Sequence, residues 1–251
     1  MSEANAACNV ICMKWGRKFD ASYVNRLYAM VQRNLKRPHR FICLTDDPDG
    51  IVDGVESLPL PDVGWDAEPD INLHGWKKVG LMAPAVGGLS GTALFLDLDV
   101  VIVGALDRFF EQSGEVQMIK DFRPVRVRGD HFVGNTSVLR FELGVCPELY
   151  ERFREDFPGI RRRLRNEQEY LSHHFHEQNQ LHYWPEQWCV SFKHHCVGWG
   201  LPSYWRTPQI PTGAAIVVFH GEPSPRQAIS GDGGKWYRNI RPTPWIEDYW
   251  R

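Results

Sequence analysis

Two aspartates, Asp97 and Asp99, stand two residues apart inside an apolar run that extends from Ala93 to Val103. Moving an unpaired carboxylate out of water is costly, so this pair needs cations, hydrogen-bond donors or water nearby. Residues i and i+2 of a strand point to the same side, and open α/β sheets bind ligands at the carboxyl edge. The spacing therefore predicts carboxylates that converge at a sheet edge, most simply on a divalent metal that carries a phosphorylated substrate.

A histidine, His220, ends a second apolar run, Ile216 to Phe219, and is followed by Gly221. An imidazole is a frequent metal ligand, and a glycine lets the backbone approach a phosphate group closely. These properties suit a third metal ligand beside a diphosphate. A histidine that only makes a hydrogen bond at the sheet edge is the alternative.

The elements that must position these residues read as an α/β fold. Predicted strands alternate with amphipathic helices in the first half, which is typical of a parallel sheet. The predicted strands are Asn9 to Met13, Arg40 to Thr45, the Asp97/Asp99 strand, Val116 to Lys120, Thr136 to Phe141 and Ile216 to Phe219. Helices are predicted after the N-cap residue Asp20, around Trp76 to Met82, and over Pro147 to Phe157 and Asn166 to Phe175, with Arg161 to Arg163 between the last two.

The composition is that of a globular protein of one domain. The chain has 251 residues, of which 43% are hydrophobic and 24% charged, and its net charge is −2, which indicates no nucleic-acid partner. No apolar stretch approaches the roughly 20 residues of a transmembrane helix. The segment from Met1 to Ala7 lacks the pattern of a signal peptide, and the six cysteines show no disulfide spacing, so we expect reduced thiols and a cytoplasmic location.

Four motifs follow one another along the chain. They are Leu94 to Phe110 with its Asp-Leu-Asp, Gly134 to Phe141, Asn166 to Leu171, and Phe219-His220-Gly221-Glu222-Pro223-Ser224-Pro225. In this order they resemble the motifs of the retaining GT-A glycosyltransferases of the glycogenin and lipopolysaccharide galactosyltransferase type, glycosyltransferase family 8. The last motif departs from the family pattern because Ser224 stands where a lysine is usual, and Glu167 and Glu169 replace aspartates.

The resemblance implies a GT-A fold, which is a Rossmann-like, mostly parallel central sheet with flanking helices. It implies a single domain over residues 1–251 with an irregular C-terminal extension, residues 1–110 being the nucleotide-binding half and 111–251 the acceptor-binding half and tail. The activity implied is metal-dependent transfer of a sugar from a nucleotide-sugar donor, a UDP-sugar, with retention of configuration. The acceptor would be a glycan, a lipid-linked molecule or a protein.

The resemblance also implies roles for individual residues. Asp97 would contact the ribose or the metal, while Asp99 and His220 would coordinate Mn²⁺ or Mg²⁺. Asn135 and Ser137 would bind the transferred sugar or the acceptor, and Gln168, with Glu167 beside it, would lie near the anomeric carbon. Contacts with the nucleotide-sugar would come from Lys14, Trp15, Lys77, Lys78, Gly221 and Arg226, the last replacing the missing lysine.

Other interpretations remain open from the sequence. A haloacid-dehalogenase-type phosphatase also has an Asp-x-Asp after an apolar strand, and Asp97 would then be the nucleophile. A non-catalytic protein that binds nucleotide-sugars is a further possibility. The histidines His173, His174, His176 and His182, or the set Cys189, His194, His195 and Cys196, could bind zinc, although neither set has a standard zinc-binding spacing.

Overall fold

A computed structural model describes residues 8–112, 114–122 and 131–251, so the segment examined for a signal peptide lies outside the described residues. The central feature is a sheet of seven strands in the order β3-β2-β1-β4-β7-β6-β8. Its strands are β1 (Cys8–Lys14), β2 (His39–Thr45), β3 (Glu56–Pro59), β4 (Thr92–Leu96), β6 (Val116–Lys120), β7 (Gly134–Glu142) and β8 (Leu181–Tyr183). A second sheet, in the order β5-β10-β9, contains β5 (Val100–Ile102), β9 (Cys189–Ser191) and β10 (Ile216–Val218).

The helices are α1 (Ala21–Asn34), α2 (Pro147–Arg163), α3 (Glu167–Glu177), α4 (Pro225–Ser230) and α5 (Trp245–Tyr249). Short 3₁₀ helices cover Pro69–Asn72, Trp76–Met82, Asp107–Phe110 and Leu201–Tyr204, and one π-helical turn covers Phe192–Cys196. Helix α1 begins as the sequence predicts, because the Asp20 side chain accepts a hydrogen bond from the backbone N–H of Ser22. Among the described residues, no helix is both long and apolar enough to cross a membrane.

The sheet is mostly parallel, which confirms the predicted α/β class and its GT-A-like arrangement. Strands β3, β2, β1 and β4 pair in parallel, and β8 pairs in parallel with β6. Strand β7 lies in the middle and runs antiparallel to both β4 and β6. The beginning of β7 therefore lies at the carboxyl edge of β4, where the sequence places its acidic pair.

Both faces of the central sheet are covered. On β1, Val10 and Cys12 join an apolar cluster with α1 and the second sheet, whereas Ile11 and Met13 join a cluster with α2, α3 and the helix Trp76–Met82. Neighbouring strand residues face opposite sides, so this alternation follows from the pleat of a strand that is buried on both faces. All six cysteines are buried free thiols, and burial raises the pKa of Cys8 to about 11.

The run from Ala93 to Val103 is not one strand, and the expectation of a single strand through the acidic pair is wrong. Strand β4 ends at Leu96, a turn covers Asp97 to Asp99, and β5 begins in the second sheet. The two carboxylates mark the point where the chain leaves one sheet for the other, while Leu98 between them is buried in the apolar core. Their common orientation thus depends on this turn and not on strand alternation.

Two further differences concern α2 and the short strands. The basic run Arg161 to Arg163 forms the last turn of α2 and does not link two helices, because the helix continues past Phe157 through a kink at Asp156. Strands β3, β8 and β9 were not predicted, since they have only three or four residues. Strands from both halves of the chain build the central sheet, β1 to β4 from residues before 110 and β6 to β8 from residues after it.

Candidate functional site

A cavity of about 600 Å³ opens at the carboxyl edge of β1 and β4. It collects most of the residues that the sequence singles out, from β1, the 97–99 turn, the start of β7, the start of α3 and the end of β10. Those of the predicted site residues that line it are Trp15, Lys78, Asp97, Asp99, Asn135, Ser137, Glu167, Gln168, His220 and Gly221. The four motifs are therefore brought together in space.

A buried lysine, Lys78, stands at the base of this cavity. Its Nζ lies 2.6 Å from Oδ1 of Asp97 and 3.7 Å from Oε1 of Glu167. Burial lowers the pKa of Lys78, but the two carboxylates outweigh it, so the pKa is raised above its usual value and the side chain is charged. Lys78 thus compensates two acidic groups that are largely removed from water.

Glu167 begins α3 and is almost fully enclosed. Thr136 of β7 donates a hydrogen bond to Oε1 of Glu167 over 2.6 Å. Burial raises the pKa of Glu167, whereas Lys78 and Thr136 act in the opposite direction. Gly75 packs so closely that a Cβ there would lie 2.6 Å from Oε2 of Glu167, and its φ of +75° also favours glycine.

The acidic pair has the donor chemistry of a divalent-metal site. Asp97, Asp99 and His220 line the same cavity, and two carboxylates with an imidazole are a donor set that fits Mn²⁺ or Mg²⁺. Part of Asp99 is exposed to the cavity, but desolvation and the neighbouring Asp97 raise its pKa, against the effect of Lys18 and Lys78. In the described structure, however, the ligand atoms of these three residues do not all lie within 4.8 Å of one another.

A different cluster has the tightest set of potential ligands. Among the described residues, Cys146, Glu148 and His174 are the three whose ligand atoms all lie within 4.8 Å of one another. Hydrogen bonds within the cluster explain why these atoms are close. Sγ of Cys146 lies 2.9 Å from Nε2 of His174, and Sγ of Cys146 lies 3.2 Å from Oε1 of Glu148. Neither of the two histidine and cysteine sets considered for zinc forms such a group in the described part of the chain.

The imidazole of His220 is held from several sides. Its Nε2 lies 2.7 Å from Oγ of Ser191, and its ring is stacked between Phe122 and His194 with centroid distances of 5.4 and 5.6 Å. Lys193 donates a hydrogen bond from Nζ to the backbone oxygen of His220. The ring is thus contacted by Ser191 of the second sheet, by His194 of the π-helical turn and by Phe122, which follows β6.

A second cavity, of about 680 Å³, adjoins the first. The two share Asn135, Gln168 and His220 among the residues that line them. Asn135 is buried, and its Oδ1 accepts a hydrogen bond from the backbone N–H of Ser137, whereas Gln168 remains half-buried at the start of α3. Two ligands bound side by side would meet at these three residues.

Three predicted nucleotide-sugar contacts do not line either cavity as described. Lys14 is buried and its Nζ donates to the backbone oxygen of Asp47 over 2.8 Å. Lys77 pairs with Asp66, and Arg226 pairs with Asp20. Ser224 forms the N-cap of α4, with Gln227 completing a capping box, so this departure from the family pattern has a structural use.

Two cations of the first cavity were missed by the sequence analysis. Arg17 and Lys18 line it from the turn that follows β1, and Gly16 begins this turn with a φ of +60°. The backbone N–H of Gly16 donates to Oδ2 of Asp46 over 3.0 Å, which holds the turn against the end of β2. Arg17 and Lys18 could have been found from the sequence because they come directly after a strand, at the edge of the sheet where ligands bind.

The described fold is similar to known glycosyltransferase structures. One is the galactosyltransferase LgtC in complex with donor and acceptor sugar analogs, which is 13% identical with a TM-score of 0.57, over 86% of this chain and 88% of that one. Another is an active-site mutant of LgtC in which a glutamine is replaced by glutamate, also 13% identical, with a TM-score of 0.56 over 86% and 89% of the two chains. No protein-family model and no curated protein matches the sequence.

Proposed function

We propose that this protein is a metal-dependent glycosyltransferase that moves a sugar, with retention of configuration, from a UDP-sugar to an acceptor. The observation that carries the proposal is the pair of adjoining cavities with Asn135, Gln168 and His220 at their junction. Transfer requires that donor and acceptor bind side by side in the correct orientation, which this arrangement allows. The likeness to LgtC, a galactosyltransferase solved with donor and acceptor sugar analogs, supports the same interpretation.

In this proposal the first cavity takes the donor. Arg17 and Lys18 supply positive charge along it, which suits a diphosphate, and Trp15, directly after β1, offers a face for the base. Asp97, Asp99 and His220 would hold Mn²⁺ or Mg²⁺. When bound, the ion supplies charge neutralisation for the departing diphosphate.

The second cavity takes the acceptor, and Gln168 stands between the two ligands. Gln168 is the one glutamine among the residues described as lining both cavities, and one of the similar structures is an active-site glutamine mutant of LgtC. Its amide can donate to or accept from the sugar without adding charge. Asn135 would bind the sugar beside it, and Glu167 orients the lysine that anchors Asp97. Because the thiols are buried and free, we place the reaction in the reducing cytoplasm.

Calorimetry of UDP binding with and without Mn²⁺ tests the donor site. We expect Asp99→Asn to lower the Mn²⁺-dependent affinity for UDP by roughly ten-fold or more, because the substitution replaces a charged carboxylate ligand by a neutral amide. Asp49→Asn removes the same charge from an exposed loop and should leave binding unchanged. Equal Mn²⁺-dependent binding by the Asp99 variant and the wild type would contradict the assignment.

Product analysis separates the proposal from its alternatives. A nucleotide-sugar panel, with UDP release as the readout, should show metal-dependent turnover and no release of phosphate from generic phosphoesters. The phosphatase interpretation needs a lysine and an acidic pair downstream, whereas the lysine that contacts Asp97 is Lys78, upstream of it. Binding without any turnover across the panel would instead favour the non-catalytic protein.

A further inference from the structure

Large apolar side chains are exposed on one part of the surface. They belong to Trp199, Leu201, Tyr204, Trp205 and Trp236, which we call the aromatic patch. Trp236 is 82% exposed, and Trp199 and Leu201 are each 72% exposed, values that are unusual for side chains of this size. Several large apolar side chains exposed on neighbouring segments mark an interaction site.

Hydrogen bonds hold the two segments of the aromatic patch side by side. The backbone N–H of Gly200 donates to the backbone oxygen of Tyr237 over 3.1 Å. Asn239 donates from its backbone N–H to Oγ of Ser203 over 2.9 Å, and Arg241 donates from Nη1 to the backbone oxygen of Tyr204 over 3.2 Å. The two segments that carry the exposed rings are therefore held together by hydrogen bonds.

The two segments that carry the aromatic patch are rich in basic residues, although the exposed Asp232 directly precedes the second segment and Asp121 and Glu222 line the neighbouring cavity. Residues 193–210 and 233–241 contain five lysines and arginines and no aspartate or glutamate, although the whole chain carries a net charge of −2. The five are Lys193, Arg206, Lys235, Arg238 and Arg241. This charge favours a partner with negative charge on its surface.

We propose that the aromatic patch docks on the surface of a membrane that contains anionic lipids. Tryptophan and tyrosine lie preferentially at the lipid–water interface, and leucine inserts below it. Lysine and arginine next to them are attracted to anionic headgroups. An ordinary protein partner would account for the exposed rings, but a cationic border around tryptophans is the combination that a lipid interface satisfies best.

Docking at this surface would bring the second cavity to the headgroups. Lys235, Tyr237 and Arg238 line that cavity and also belong to the segment that carries Trp236. An acceptor anchored in the membrane would then enter from the side on which the enzyme sits. The docking itself is independent of the proposed sugar transfer, because it requires neither donor nor metal.

Flotation with lipid vesicles tests the proposal on the full chain without nucleotide. We expect the protein to float with vesicles of phosphatidylcholine and phosphatidylglycerol, less with pure phosphatidylcholine, and less again at high salt. The variant W199S/W205S/W236S should lose most of the binding. Replacing Lys235 or Arg241 by serine should weaken binding roughly five-fold for each cation removed.

Matched controls keep the test independent of folding. Val52→Ser removes an exposed apolar side chain and Arg162→Ser an exposed cation, both outside the aromatic patch, and these variants should float like the wild type. Thermal melting confirms that all variants are folded. Equal binding to both kinds of vesicle, or binding unaffected by the tryptophan substitutions, would overturn the proposal. A dimer that the same substitutions dissociate, without vesicle binding, would assign the patch to a protein partner instead.

Discussion

Nζ of Lys78 lies 2.6 Å from Oδ1 of Asp97, and this contact joins the helix Trp76–Met82 to the turn that follows β4. The residue before Lys78 in the sequence, Lys77, makes an ion pair with Asp66, whose side chain is 75% exposed. The two adjacent lysines thus differ in their partners: Lys78 pairs with acidic groups that are largely removed from water, whereas Lys77 pairs with an exposed one.

Lys78→Met should destabilise the fold by about 3–5 kcal/mol, because Asp97 and Glu167 are left without their cation. Lys77→Met should cost only about 0–1 kcal/mol, since its partner Asp66 is exposed to solvent and such ion pairs contribute little. Urea denaturation measures both free energies of unfolding. Similar values for the two variants would show that the Lys78 pair is solvated and not enclosed.

Gln168→Ala should lower kcat by about 10²-fold or more while the affinity for donor stays within a few-fold of wild type. The reason is that its amide lies at the junction of the two cavities, where the transferred sugar must pass. Gln178→Ala, on the exposed end of the same helix, is the matched control. Steady-state kinetics of UDP release provide the measurement, and an unchanged kcat in the Gln168 variant would remove this residue from the catalytic set.

Gly75→Ala and Gly88→Ala separate backbone strain from crowding of the site. Both glycines have φ near +70°, so alanine should cost about 1–2 kcal/mol at either position. Only at Gly75 does the added Cβ meet Glu167, whereas nothing lies within 4 Å at Gly88. Gly75→Ala should therefore lose roughly 1–3 kcal/mol more stability and also activity. Equal effects on kcat would contradict the crowding argument.

Stability should fall as the pH drops below about 6.5, partly because of His174. Burial, and secondarily Arg152, lowers the pKa of His174, so the folded protein holds this ring neutral where the unfolded chain binds a proton. Its contribution is complete above the unfolded pKa near 6.5 and is lost as the pH falls toward the lower folded pKa. Urea titrations between about pH 5 and 7.5 should show a smaller slope for His174→Gln than for His182→Gln, an exposed control.

The sequence predicts the long strands and most of the cavity well. Strand β6 has the predicted bounds, and β1, β2 and β7 differ by one or two residues, because their apolar runs are long and buried. The convergence of Asp97, Gln168 and His220 on one cavity follows from the motif order that the resemblance supplied.

What could not be predicted depends on three-dimensional pairing. An apolar run indicates burial but not which sheet buries it, so the switch from β4 to β5 at Asp97 was invisible. In the same way, helical spacing cannot decide which of Lys77 and Lys78 faces the cavity. Lys14 was expected to point at the ligand, but Asp47 draws its side chain toward the end of β2.

The turn Asp97 to Asp99 is the point at which the chain passes from the central sheet to the second sheet. Asn135 approaches the cavity from the central sheet through β7, and His220 approaches it from the second sheet through β10. A donor that touches both would act as a clamp between two separately hydrogen-bonded sheets. Donor binding should therefore slow amide hydrogen exchange in β9 and β10 as well as in β4, because one small ligand then stabilises both sheets.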